Sequence, residues 1–162
     1  MIKLSVIIPI YNESKIISEL HQRLNKTLDL FKSELNIDAH ELEIIFVNDG
    51  SKDDSLQQLI ALSNLNNHYK VVNFSRNFGH QKAVTAGIDV SLGENVVLID
   101  ADLQDPPEFI VDLYKKQSEG YDVVYAVRSK RIGESYFKMV TAKLFYRILF
   151  KMTDISIPLD TG

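Results

Sequence analysis

Val96-Val97-Leu98-Ile99-Asp100-Ala101-Asp102-Leu103-Gln104-Asp105-Pro106-Pro107-Glu108 passes from an apolar run of strand length to two carboxylates spaced i, i+2, and then to a proline-initiated helix. Side chains alternate along an extended backbone, so Asp100 and Asp102 are expected to point the same way at the strand's carboxyl end. Two hard anionic ligands converging at a sheet edge suit Mg²⁺ or Mn²⁺ held jointly with a diphosphate. The residues before this stretch then read as a nucleotide pocket around that ion, and those after it as an acceptor side.

The preceding chain alternates strand and helix about every 25 residues, the mark of a doubly wound, mostly parallel α/β sheet with right-handed crossovers. Leu4 to Ile10 is a near-continuous apolar run, as expected of a strand buried on both faces. A helical pattern follows through Ile16, Ile17, Leu20, Leu24, Leu28, Phe31 and Leu35. Further strands are expected over Glu43 to Val47, Val71 to Phe74, Asn95 to Ile99 (the central one) and Tyr121 to Val127. Helices are expected around Leu56 to Leu65, over Gly79 to Ser91 and over Pro106 to Ser118. Ligands of such sheets bind outside the carboxyl ends of the strands. Polar clusters stand at those ends: Tyr11/Asn12/Glu13, Asn48/Asp49, Ser75/Arg76/Asn77, Asp100/Asp102 and Arg128. No glycine-rich phosphate loop of either common spacing occurs, so a divalent cation on Asp100 and Asp102 is the expected phosphate holder.

The 162 residues, 45% hydrophobic and 25% charged, match ordinary globular material. They divide into an expected catalytic core over 1–132 and a basic amphipathic end over 133–162. Cysteine is absent, which excludes disulfides and thiolate metal sites. Net charge is −4, but residues 1–127 carry 11 Lys/Arg against 19 Asp/Glu, and residues 128–162 carry 7 against 3. A basic segment on an acidic body points to an anionic partner, phosphate or a membrane surface. Glu134 to Met152 reads as a helix with Phe137, Leu144, Phe145, Ile148, Leu149 and Met152 on one face and Lys143, Arg147 and Lys151 on the other. Such a helix either lies at an anionic bilayer or docks its apolar face on the sheet. No apolar run approaches the ~20 residues that span a bilayer, so these residues are expected to be soluble or peripheral.

Several residues carry two readings. Asp49 either serves the backbone of an Asn-Asp-Gly-Ser turn or accepts from a base N–H. Glu13 either complements a helix dipole or faces the pocket. Asp105 and Glu108 fit N-cap and N3 of a capping box. His80 follows Gly79 near a helix start, while His21, His40 and His68 are dispersed.

Pro9-Ile10-Tyr11-Asn12-Glu13, Val47-Asn48-Asp49-Gly50-Ser51, Ser75-Arg76-Asn77-Phe78-Gly79-His80-Gln81 and Asp100 to Glu108 occur in order and at suitable spacing. Together they resemble the family 2 glycosyltransferases of GT-A fold. The resemblance is greatest to the polyprenyl-phosphate group, which includes undecaprenyl-phosphate glucosyltransferases and dolichol-phosphate mannose synthases. It implies that Pro9, Tyr11, Glu13 and Asp49 hold the nucleoside. Asp100 would contact the nucleotide or the metal, Asp102 and Gln104 would bind the metal, and Asp100 and Asp102 would form the catalytic pair. Arg128 and Arg131, with Lys143 as a further candidate, would take the lipid phosphate. Asn48 stands where the family often has a second acid, and the chain stops near where a further acidic segment would begin, as in a truncated catalytic domain.

The activity so implied is inverting transfer of a hexose from a UDP- or GDP-linked sugar (UDP-glucose-like) to polyprenyl (undecaprenyl) phosphate. It would be metal-dependent and serve cell-envelope glycan synthesis at the cytoplasmic face of a membrane. The alternatives are a family member extending a saccharide chain, and a non-catalytic nucleotide-binding module recruited to membranes. No nucleic-acid partner is expected, and a homo-oligomer is left open.

Overall fold

The computed structural model describes residues 1–127; Arg128, Arg131, Lys143 and the helix expected over Glu134 to Met152 lie outside the described residues. Two units are distinguished, Met1–Gly120 and Tyr121–Gly162. In the first, β1 (Leu4–Ile10), α1 (Ile17–Leu35), β2 (Leu42–Asn48), α2 (Ser55–Leu65), β3 (Tyr69–Asn73), α3 (His80–Val90), β4 (Asn95–Leu98) and α4 (Ile110–Gln117) follow one another. Single 3-10 turns stand at Ala39–Glu41 and Pro107–Phe109.

All strand pairs are parallel, in the order β3-β2-β1-β4. Strands β1 and β2 are interior, which explains their largely apolar sequences: every β2 residue is buried, and every β1 residue except the half-buried Pro9. One face of the sheet presents Leu4, Val6, Ile8, Ile10, Leu42, Ile44 and Phe46 to a core shared with Leu20, Leu24 and Phe31 of α1, Leu59 of α2, and Ile110 and Val111 of α4. The other presents Ile7, Ile45 and Val47 to Ala83 of α3. Alternation at period two puts these sets on opposite faces. Helix α3 approaches closely because Gly87 lacks a Cβ; one placed there would lie 2.4 Å from Ile7 Cγ2.

Chain order and sheet order together locate the site. From β1 the chain winds outward through β2 to β3, then α3 returns it across the other face to β4, on the far side of β1. The winding reverses between β1 and β4, and the carboxyl ends of those two strands flank the crevice where such sheets bind ligands.

Three expectations need correcting. Among the described residues the strand at Asn95 is not central: β4 pairs with β1 at the end of the four-strand order, and Val96 and Leu98 are nearly half exposed. Its apolar run resembles that of an interior strand, yet only Val97 and Ile99 pack into the core. Tyr121 to Val127, expected as a fifth strand, forms none, and Tyr121, Val123, Tyr125 and Val127 are exposed. Alternating Tyr and Val have strand propensity, but propensity is realised only against a paired neighbour and a packed face. Finally, the residue at the N-cap of the turn before α4 is Pro106 rather than Asp105, and the Glu108 carboxylate reaches Arg23 of α1.

One buried polar group had no forewarning in the sequence pattern. Glu43 of β2 is 2% exposed and accepts from Ser5 Oγ, the Leu92 N–H and Lys70 Nζ. Burial opposes its ionisation, but these donors together hold its carboxyl below the usual value. The network ties the α3–β4 turn to the sheet, with the Gly93 N–H donating to Ser5 Oγ at 2.9 Å.

Candidate functional site

A cleft of about 540 Å³ opens at the carboxyl ends of the strands, within the range of small-molecule sites. The end of β1 supplies Pro9, Ile10, Tyr11 and Glu13; the end of β2 supplies Asp49. Asn77 and His80 come from the start of α3, and Asp100, Ala101 and Asp102 follow β4. Of the sequence-predicted residues, Pro9, Tyr11, Glu13, Asp49, Asp100 and Asp102 thus meet around one cavity. Gln104 is exposed and is not part of its wall; its N–H donates to Asp102 Oδ1 at 3.0 Å.

The loops after β1 and β2 are stitched together by four bonds. Asn12 N–H donates to Ser51 Oγ at 3.0 Å, Lys52 N–H to Asn12 Oδ1 at 2.8 Å, Glu13 N–H to Ser55 Oγ at 2.9 Å and Ser14 N–H to Asp53 Oδ2 at 3.1 Å. Asn12 sits at φ +57°, a left-handed conformation that Asn tolerates better than most residues. Burial raises the Asp53 carboxyl, but hydrogen bonds from Ser55 and Ser14 outweigh it and hold the pKa at about 2. The stitch fixes the backbone on either side of Tyr11 and Glu13 before any ligand arrives.

Asp49 resolves its two readings in favour of neither alone. It is 3% exposed, and its oxygens accept from the N–H groups of Phe78 at 2.7 Å and Gly79 at 3.0 Å, so it anchors the loop leading into α3. A carboxylate offers about four lone-pair sites, so two accepted bonds leave capacity for a ligand donor in the cleft. Gly50 beside it has φ +66°, and a Cβ there would fall 2.2 Å from the Arg76 carbonyl carbon.

The opposite wall is acidic. Ile99 and Ala101 turn into the protein while Asp100 and Asp102 are exposed in the cleft, the alternation read from i, i+2 spacing. Burial first, then the charges of Asp102 and Asp53, push the Glu13 carboxyl above its ordinary value. Glu13 and Asp102 therefore feel one another across the cavity. His80 Nε2 lies 3.9 Å from Asp100 Oδ1. Leu103, between Asp102 and Gln104, takes φ +60°, a conformation that costs a non-glycine residue about 1 kcal/mol or more.

Two exposed carboxylates on one wall fit a divalent cation of the Mg²⁺ or Mn²⁺ kind. Such ions take one or two carboxylates and complete their shell with water and substrate phosphate. A different trio, Asp38, His40 and Glu41, draws its ligand atoms together among the described residues. Its carboxylates are already engaged, Asp38 by Lys32 at 2.7 Å and Glu41 by Lys3 at 2.8 Å.

The sequence alone assigns Asn77 and His80 no individual role. Their signal was present in the polar cluster after β3 and in a histidine at a helix start, but not which cavity wall they would form. The stitch by Asn12, Ser51, Asp53 and Ser55 had no signal beyond turn-forming composition.

A parallel, doubly wound sheet with an acid-bearing crevice at its winding reversal defines the class: the GT-A architecture of glycosyltransferases. The model of Glycosyl transferase family 2 matches residues 5–162, and the chain belongs to that family. It is 52% identical over 161 residues to the uncharacterized glycosyltransferase YkcC of Bacillus subtilis, covering 99% of this chain and 48% of the relative. To the uncharacterized glycosyltransferase sll0501 of Synechocystis sp. it is 50% identical, with the same 99% and 48% coverage. The chain thus spans about half the length of these curated relatives. Among solved structures it is similar to S. aureus TarS 1–349 in complex with UDP-GlcNAc, at 27% identity and TM-score 0.55 over 85% of this chain and 38% of that one. The mannosyltransferase PcManGT of Pyrobaculum calidifontis, in complex with GDP-Man and Mn²⁺, matches at 21% identity and TM-score 0.63, over 91% of this chain and 38% of that one. At that identity the likeness speaks to fold alone.

Proposed function

We propose that this chain forms the donor-binding part of an inverting glycosyltransferase that moves a hexose from a nucleotide sugar to a polyprenyl phosphate. The carrying observation is the cleft at the β1/β4 winding reversal, which joins Pro9, Tyr11, Glu13 and Asp49 on one side to Asp100 and Asp102 on the other. Support for a nucleotide-sugar donor comes from TarS, solved with UDP-GlcNAc. In this reading Tyr11 and the remaining lone pairs of Asp49 orient the nucleoside, while Asp102 and Asp100 face the diphosphate. A bound Mg²⁺ or Mn²⁺, held by those two carboxylates with Gln104 as a further candidate ligand, would neutralise charge developing on the departing diphosphate.

The acceptor's phosphate has a second pKa near ~6, so at neutral pH it is already an anionic nucleophile. Its oxygen forms the new bond to the anomeric carbon as the bond to the nucleoside diphosphate breaks, the electron pair leaving with the diphosphate. No side chain has to remove a proton, and the protein's part is positioning and charge stabilisation. Arg128, Arg131 and Lys143 are the proposed acceptor-phosphate residues, and the cytoplasmic face of a membrane is the proposed place of action.

Calorimetric titration with UDP, GDP and UDP-glucose, with and without Mn²⁺, tests the donor site. Binding is expected to strengthen with Mn²⁺, and Asp102→Ala to abolish that gain and the turnover of the whole protein. Turnover unaffected by Asp102→Ala would refute the assignment. Reversing the charges of Arg128 and Arg131 should stop transfer to a lipid phosphate; a saccharide acceptor would be indifferent to it.

A further inference from the structure

We propose that the Arg23–Glu108 pair is a positioning clamp on the loop after β4, setting the stance of Asp102 toward the donor's diphosphate and its divalent cation; this rests on the donor-site reading above. Arg23 of α1 donates through Nη2 to Glu108 Oε2 at 2.7 Å and through Nε to Oε1 at 3.2 Å. This two-pronged form is the most directional ion pair available to a protein. The side chains are 25% and 28% exposed, so water competes for them less than at an open surface. The anchor is rigid, since Leu20 and Leu24 on the same helix are fully buried.

The chain between Asp102 and Glu108 has little slack. Leu103 is held at φ +60°, the Gln104 N–H closes on Asp102 Oδ1, and Pro106-Pro107 leads into a 3-10 turn with Pro107 buried. With so few free torsions, an anchor at the far end of the loop constrains the carboxylate at the near end. Neither Arg23 nor Glu108 lines the cleft, so both are positioning residues. A mere staple between α1 and the 3-10 turn before α4 would lower stability when cut, without changing the order of residues 102–105 or the response to a cation.

Amide hydrogen exchange of residues 102–105 without ligand, and calorimetry of UDP with and without Mn²⁺, separate the two. In Glu108→Gln, exchange should quicken, and UDP affinity in Mn²⁺ should fall by up to roughly tenfold, since the pair acts on Asp102 through the loop and losing a metal ligand's direct hydrogen-bond partner costs about tenfold or more. Affinity without Mn²⁺ should hold. Arg23→Lys keeps the charge but loses the fork and should fall between; it decides the matter if Glu108→Gln does not fold. Exchanging the pair, Arg23→Glu with Glu108→Arg, should restore both readouts. Unchanged exchange and Mn²⁺ response in a variant of a UDP-binding wild type would overturn the clamp alone. A wild-type chain that takes up neither UDP nor GDP with Mn²⁺ would overturn the clamp and the donor site together.

Discussion

Gly50 shows how a single missing carbon shapes the cleft. Its φ of +66° and the 2.2 Å and 2.5 Å distances from a built Cβ to the Arg76 carbonyl carbon and the Asn77 nitrogen leave no room for a side chain. Gly50→Ala is therefore expected to destabilise by at least about 2 kcal/mol, from backbone strain and overpacking together. Urea unfolding measures it; a midpoint equal to the wild type's would mean that the loop before α3 yields freely. Asp49 acts at the same scale. Its carboxylate was readable as a strand-end acid, but its bonds to Phe78 and Gly79 join residues 29 and 30 positions apart, beyond any local pattern.

Among the elements, the stitched loops after β1 and β2 make the Tyr11 and Glu13 side of the cleft a preformed surface. Asp53 gives it a pH signature. A carboxyl whose folded pKa lies below its unfolded value contributes stability that is full above the unfolded pKa and disappears as pH falls through the folded one. For Asp53 that window runs from its ordinary 3.8 down to about 2. Asp53→Asn should cost about 1 kcal/mol at pH 5, less than the ~1.5–3 kcal/mol of a hydrogen bond to a charged group because Asn keeps one acceptor oxygen, and the gap to wild type should close on approaching pH 2. Thermal melts across that range check this, and a gap independent of pH would rule the account out. Glu108 works in the same direction, since Arg23 beside it holds its carboxyl below the usual range. Strand and helix bounds were largely readable at this scale: α1 follows its apolar spacing, and β1 its near-continuous run. Edge and centre were not readable, because β4 carries the composition of an interior strand while pairing, among the described residues, with β1 at the end of the order.

For the whole molecule, a ligand that binds only the folded state stabilises it by about 2.7 kcal/mol at a hundredfold excess over its dissociation constant. UDP with Mn²⁺ is therefore expected to raise the melting temperature by several degrees, and chelation with EDTA to remove most of that rise. A rise that survives EDTA would take the cation out of the proposed donor site.

The parallel alternation, the polar rim at the strand ends and the paired acids after Ile99 follow from residue order unaided. Side-chain periodicity and the ending of an apolar run are local properties, fixed within a few residues. Folding alone settled β4's place, Glu108's union with Arg23 across 85 positions, and the gathering of Asn77 and His80 beside Asp100. Those outcomes depend on which distant groups arrive within hydrogen-bonding reach, and no short window of sequence contains both partners.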